Sequence, residues 1–261
     1  MFKKCRITYK KYIEGVIFMQ NRNDFIEKLL DRAQIKEGMR VLDIGCATGE
    51  VTQLIAKRVG ANGEVVGVDV NESLLKIANE NNQYNNVSYQ YSDIYQLPET
   101  MGHFDAIVGR RVLMYLPDAE KCLQILKSIL KPEGILCFQE SDAINAGVGA
   151  DALSLHQSAI QWIWETVKQE GGNIHIGQNL YNLLHNNGMH VVDYFAEAVI
   201  QTSMDNDLAW LVDVMLPRMK AHGVINDDFS LDEFKLNLEH EAMNNQCAFI
   251  RDMAFGIIGK A

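Results

Sequence analysis

The sequence predicts an α/β fold built on a doubly wound, mostly parallel sheet. Three observations carry this. Short apolar runs alternate with amphipathic stretches over residues 24–142, the rhythm of strand–helix–strand units. Val41-Leu42-Asp43-Ile44 leads into Gly45-Cys46-Ala47-Thr48-Gly49, which places a tight loop between a buried strand and a helix start. A second apolar strand then ends in Asp69, 20 residues beyond Gly49. In open parallel sheets such a loop lies at the carboxyl end of a strand, where nucleotide-like ligands bind.

The elements follow in order. Asp24 to Ala33 carries Phe25, Leu29 and Leu30 at helical spacing, with Asp24 as the expected N-cap. Gly38 closes the link to a strand at about Arg40–Ile44. Thr48 is placed to cap a helix from about Glu50 to Val59, whose Val51, Leu54, Ile55 and Val59 share one face. Gly60 and Gly63 mark a turn before the strand Val65–Asp69. Asn71 caps the next helix, and Val87–Tyr91 and Phe104–Val108 read as strands. Pro117-Asp118 opens a helix expected to run through Leu130. Lys131-Pro132-Glu133-Gly134 then reads as a turn before a fifth strand, Ile135–Gln139.

Beyond Asp142 the rhythm breaks. Helices are expected around Trp162–Val167, over Gln178–Asn187, Asp205–His222 and Ser230–Asn245. Strands are expected over His190–Ile200 and Cys247–Ile258. Residues 24–261 therefore read as one domain, with helical cap segments at about 143–177 and 203–245. Residues 1–23 read as an N-terminal leader or a lid: the first eighteen are basic, and Met19 is an alternative start. Tyr12–Phe18 is too short and contains Glu14, so it does not read as a signal peptide.

Composition narrows the function classes. A net charge of −10 argues against a broad nucleic-acid surface. No run of 18 apolar residues predicts a membrane span. Five cysteines without a CxxC spacing suit a reducing, cytoplasmic setting. No histidine pair has ligand spacing, so no metal site is expected.

The loop itself discriminates among ligands. A dinucleotide fingerprint needs G-x-G-x-x-G, and here the three positions hold Gly45, Ala47 and Glu50. Glu50 at the helix start, with Asp43 nearby, would repel a pyrophosphate. The loop suits a nucleoside carrying positive charge. Asp69 either holds a ribose or caps the next helix, and Asn71 is better placed for the cap. Asp93 and Ile94, after the third strand, suit an exocyclic amine and a ring nitrogen.

Together, Val41–Gly49, Val66-Gly67-Val68-Asp69, Ser92-Asp93-Ile94, Phe104–Val108 with Arg110, and Leu130-Lys131-Pro132-Glu133-Gly134 resemble the class I S-adenosylmethionine-dependent methyltransferases. Ala47 departs from the glycine many members have there. The resemblance covers about residues 24–142 and implies a seven-stranded sheet with its last strand antiparallel. It implies S-adenosylmethionine as cofactor and S-adenosylhomocysteine as product. Asp43 would orient the methionine ammonium. Gly45, Cys46 and Gly49 would line the methionine and ribose, Asp69 and Val70 the ribose, Asp93 and Ile94 the adenine. Arg110 would offer a backbone carbonyl.

Transfer to an oxygen or nitrogen of a small-molecule acceptor is the expected reaction. The alternatives are a nucleic-acid methyltransferase, or a non-catalytic or repurposed cofactor-binding protein. Gly109-Arg110-Arg111-Val112 stands where base-amine methyltransferases often carry Asn/Asp-Pro-Pro-Tyr/Phe, which disfavours that form. Methyl transfer needs alignment more than a base. Glu140, His156 and Tyr115 are candidates for a catalytic role; the competing reading is a solvated strand end for Glu140 and packing for His156 and Tyr115. Arg111 reads as a surface ion pair or an acceptor carboxylate ligand. The five methionines Met114, Met204, Met215, Met219 and Met243 read as core filling or as a cavity lining. The chain is expected to act as a monomer or homodimer.

Overall fold

The computed structural model describes residues 23–261; the leader or lid reading of residues 1–23 falls almost wholly outside them. Helix α1 covers residues 23–32. It is followed by β1 (Arg40–Ile44), α2 (Glu50–Val59), β2 (Glu64–Asp69), α3 (Glu72–Glu80), β3 (Val87–Tyr91), β4 (Phe104–Arg110), α4 (Ala119–Ser128) and β5 (Leu130–Asp142). Then come α5 (Ser154–Gln169), α6 (Ile176–Asn186), β6 (His190–Thr202), α7 (Leu208–Ala221), α8 (Leu231–Asn244) and β7 (Ala248–Lys260).

The sheet has the order β3-β2-β1-β4-β5-β7-β6. The strands β1 to β5 pair in parallel, and β7 runs antiparallel to both β5 and β6. The order reverses between β1 and β4, so the loops after these strands flank a crevice at their carboxyl ends. Val41, Leu42, Ile44, Val65, Val66 and Val68 are buried, as strands covered on both faces require. One core cluster packs α1 and α2 against Val41, Val65, Val108 and Cys137. The other joins the opposite face of the sheet to α4–α8.

Several expectations change in detail. Thr48 does not cap α2: Gly49 is the N-cap, in a left-handed conformation (φ 81°) without a side-chain bond. Asn71 does cap α3, its side chain accepting from the Leu74 N–H at 3.2 Å. Helix α4 stops at Ser128 because Leu130 already pairs with Phe104. The expected turn at 131–134 is an irregularity inside β5: the register moves from Phe104–Leu130 to Ala106–Ile135, with Glu133 left-handed at φ 62°. Both β6 and β7 run two residues past their expected ends.

Helices α5, α7 and α8 pack on one another. Trp162 of α5 meets the Phe229 and Phe234 rings at 5.7 and 5.8 Å, and Arg218 of α7 pairs with Glu170 after α5. Helix α6 instead packs on β5, β6 and β7. Met114, Met215 and Met219 are core residues, whereas Met204 and Met243 are exposed. Among the described residues, no helix is long and apolar enough to cross a membrane, and no cluster of ligating side chains could hold a metal ion.

Candidate cofactor and acceptor site

The loop after β1 is held open by its own chain. Gly45, Ala47 and Gly49 all have positive φ (62°, 47° and 81°). A Cβ on Gly45 would lie 2.6 Å from Val112 Cγ2, and one on Gly49 would run into the Tyr89 hydroxyl. These glycines are thus demanded by the side chains beneath and beside the loop as well as by its turn. Ala47 tolerates a conformation costing roughly 1–2 kcal/mol for an L-residue, and its N–H donates to Asp69 Oδ2 at 2.9 Å.

Asp69 therefore ties the tip of β2 to the loop. Its other oxygen accepts from the Asn71 N–H at 2.8 Å, and its side chain remains partly exposed. Val70 beside it is 60% exposed. Asp93 accepts from the Tyr95 N–H at 2.9 Å, which caps the short turn at Ile94–Gln96, and Ile94 is buried against the core. Cys46 is buried, and its N–H donates to the Val68 carbonyl at 3.0 Å.

Asp43 lies under the loop, 1% exposed. The Thr52 hydroxyl donates to its Oδ2 at 2.6 Å. Burial pushes its pKa up to about 7, against the opposing pull of that hydrogen bond and of Arg110. Tyr89 contributes a buried hydroxyl near Thr52, and burial raises its pKa to about 12.

Glu50 does not stand alone at the start of α2. The Arg110 guanidinium pairs with it and also donates to Asn23 Oδ1 at 2.8 Å. Asn23 in turn donates to Glu50 Oε1 at 3.1 Å. The charge that argued against a pyrophosphate is thus offset by Arg110, and the carboxylates around the loop remain Asp43, Asp69 and Asp93. This Asn23–Glu50–Arg110 cluster ties α1, α2 and the end of β4 together.

The structure does not gather Glu140, His156 and Tyr115 into one pocket. Glu140 is fully buried and accepts from the N–H groups of Val112, Leu113 and Met114 at 3.0, 2.9 and 3.4 Å. It holds the turn after β4, and burial raises its pKa to about 7 against those three bonds. The competing reading of a solvated strand end is therefore also set aside. His156 is fully buried, with Nδ1 2.7 Å from Glu241 Oε2. Glu241 also accepts from the Leu155 and His156 N–H groups and from the Ser154 hydroxyl. That pair fastens α8 to the first turn of α5. Tyr115 is 45% exposed, with the Arg218 guanidinium 5.7 Å from its ring centroid.

A cavity of about 300 Å³ adjoins the crevice. Asp24, Arg111, Gln139, Gln201, Asp207 and Arg251 are among its lining residues. Arg111 follows Arg110 directly, and Asp24 follows Asn23, so the cavity's lining continues from the cluster that braces the start of α2. Arg111 is the correction to a surface ion pair. Its backbone is left-handed (φ 57°), its N–H donates to the Gln139 carbonyl at 2.7 Å, and its Nε is buried. Arg251 lies 3.4 Å from Asp207 and 3.3 Å from Asp252.

Arg251, Asp252, Gln201 and Asp207 were not read as site residues from sequence. The signal available was Arg251-Asp252 inside an otherwise apolar strand, since buried charges are costly unless paired or put to use.

Residues 35–201 match the family described as methyltransferase domain. A demethylmenaquinone methyltransferase of Lactobacillus johnsonii is 30% identical over 126 residues, which is 47% of this chain and 52% of the relative. A ubiquinone/menaquinone biosynthesis C-methyltransferase of Idiomarina loihiensis is 34% identical over 122 residues, covering 45% and 49%. The chain spans about half the length of these curated relatives. A SAM-dependent methyltransferase from Aquifex aeolicus shares the fold, with a TM-score of 0.54 at 18% identity over 90% of this chain and 87% of that one. The strand order, the loop after β1 and the match over residues 35–201 agree, and the chain belongs to the class I S-adenosylmethionine-dependent methyltransferase family.

Proposed function

We propose that this chain transfers a methyl group from S-adenosylmethionine to a small polar acceptor held in the cavity beside Arg111. The observation that carries the reading is a polar cavity lined by Arg111 and Asp24, the residues next to the Arg110 and Asn23 that brace the helix after the glycine loop. The residues present fit the cofactor. Its sulfonium and ammonium are cations, and Asp43, Asp69 and Asp93 supply the opposing charge. Gly45, Cys46 and Gly49 would hold the methionine end, Asp69 and Val70 the ribose, Asp93 and Ile94 the adenine. When bound, the sulfonium supplies a reactive methyl and a neutral leaving group.

The chain's own part is alignment. A near-attack arrangement of acceptor and methyl supplies most of the rate in such a displacement. The left-handed backbone at Arg111 and the Glu140 anchor fix the turn after β4 between the loop and the cavity. A proton leaving an oxygen or nitrogen acceptor has the carboxylates of Asp24, Asp205 and Asp207 within the cavity wall. Glu140 and His156 are committed to structural bonds and are not needed as bases.

A second reading is transfer to a ring carbon of a hydroxylated aromatic acceptor, favoured by the names of the quinone-methylating relatives. Incubation with methyl-labelled S-adenosylmethionine and a panel of oxygen, nitrogen and activated-carbon acceptors tests both. S-adenosylhomocysteine formed in step with a methylated product supports transfer, and the product's labelled atom decides between the readings. Tight cofactor binding without transfer to any acceptor would favour a non-catalytic protein.

A further inference from the structure

Buried polar side-chain atoms almost always find a partner, and each one that does not calls for an explanation such as strain, a catalytic role, or a bound water or ion. Seven such atoms lack a partner among the described residues. Four of them belong to residues lining the one cavity: Arg111 Nε, Arg251 Nε, Gln139 Oε1 and Gln201 Oε1. The unmet groups are therefore two donors and two acceptors, set in the side chains around a cavity of about 300 Å³. That volume is at the small end of ligand sites, which run from about 300 to 1,000 Å³.

The charges are arranged unequally. Arg251 has two carboxylates beside it, Asp207 and Asp252. Asp207 also accepts from Gln201 Nε2 at 2.8 Å, which fixes the Gln201 amide with its oxygen left over. Among the described residues no carboxylate comes within ion-pair distance of Arg111, and Asp252 and Asp207 act on it only from farther off. Its guanidinium is nevertheless held partly buried, beside Arg251, on a strained backbone pinned by the Gln139 carbonyl. Backbone strain of this kind persists where the surroundings over-determine it, often at a ligand clamp. A planar guanidinium fork matches a carboxylate. Asp24, Glu197 and Asp205 on the same wall disfavour a polyanion such as a phosphate ester.

Resting on the acceptor site proposed above, we infer that the acceptor is a small organic acid whose carboxylate docks on Arg111, in the lining it shares with Gln139 and Gln201. Arg111 thereby sets specificity, and Arg251, already balanced by its two acids, supports the wall.

The test uses the whole chain saturated with S-adenosylhomocysteine. Small hydroxy- and amino-carboxylic acids, each paired with its own neutral amide, are titrated by calorimetry. The best acids are expected to bind at least tenfold more tightly than their amides. In Arg111→Gln that preference should vanish while S-adenosylhomocysteine affinity stays within twofold, and Arg111→Lys should keep part of it. Amides binding as well as acids throughout, or a preference that survives in Arg111→Gln, would overturn the inference, as would no acid binding at all. Arg111-dependent acid binding without methyl transfer would count against the proposed function while leaving this inference standing. Methyl transfer to acceptors without acid preference would do the reverse.

Discussion

Replacing Asp43 with Asn should flatten the pH dependence of stability. Asp43 is buried beneath the glycine loop, and its pKa rises from 3.8 to about 7. A shift of about 3 units, at about 1.4 kcal/mol each, makes the ionised carboxylate cost on the order of 4 kcal/mol in the folded protein. The sign follows from proton binding. The folded state holds its proton more tightly than the unfolded chain, so stability falls as pH rises from about 4 through about 7. Above that window the full cost is present; below it there is none. Glu140, raised from 4.5 to about 7, adds a slope of the same sign. Glu170, Asp105 and Glu241 are lowered and act only below the ordinary carboxylate range.

In Asp43→Asn the side-chain oxygen can still accept from Thr52, whose bond to Asp43 is 2.6 Å. The assay is urea unfolding of the cofactor-free protein at about pH 5 and about pH 8, which spans the upper two-thirds of the window. Wild type should lose several kcal/mol between them, and the variant should lose less, by up to about 3 kcal/mol. The remaining slope belongs to Glu140. Equal slopes in the two proteins would refute the placement of a costly charge at Asp43. The variant should also bind S-adenosylmethionine less tightly, because a cation loses its carboxylate partner.

Gly49→Ala places a methyl against the Tyr89 hydroxyl at a left-handed position, and thermal unfolding should show a loss of roughly 1–3 kcal/mol. Tyr89→Phe in the same chain should recover part of that loss; full additivity would argue against the contact. Glu241→Ala removes the acceptor for the Ser154 hydroxyl, two N–H groups of α5 and the His156 ring. It should cost roughly 1–3 kcal/mol in denaturant unfolding, with cofactor affinity unchanged; a large fall in affinity would connect α5 to the crevice more directly than the contacts do.

The first half of the fold was legible because its signals are local. Strand β1, helix α2 and strand β3 have the expected ends because an apolar run, a glycine turn or a capping residue bounds each within a few positions. The start of β5 was misread for a complementary reason. Pro132-Glu133-Gly134 does break the ladder, but the register shift lets pairing with β4 begin at Leu130 before the break and resume at Ile135 after it. The Thr48 cap failed because Gly49 already supplies the left-handed entry to α2.

The loop residues were legible by motif, but their protein partners were not: nothing local ties Arg110 to Glu50, or Gly49 to Tyr89. The cavity was the least legible part. Arg111, Gln139, Gln201, Asp207 and Arg251 come from four segments that only the extension of β5, β6 and β7 beyond β4 brings together. Arg111 beside Arg110 reads as one of two surface cations until its backbone conformation turns it inward.

The central claim is that the loop Gly45–Gly49, with Asp69 at the tip of β2, holds S-adenosylmethionine. Calorimetric titration of S-adenosylmethionine into wild type and Asp69→Ala tests it most directly, with circular dichroism to establish that the variant is folded. A loss of about tenfold or more in affinity, about 1.4 kcal/mol or more, with the fold retained is the predicted result. A folded Asp69→Ala protein that binds S-adenosylmethionine as tightly as wild type would contradict it.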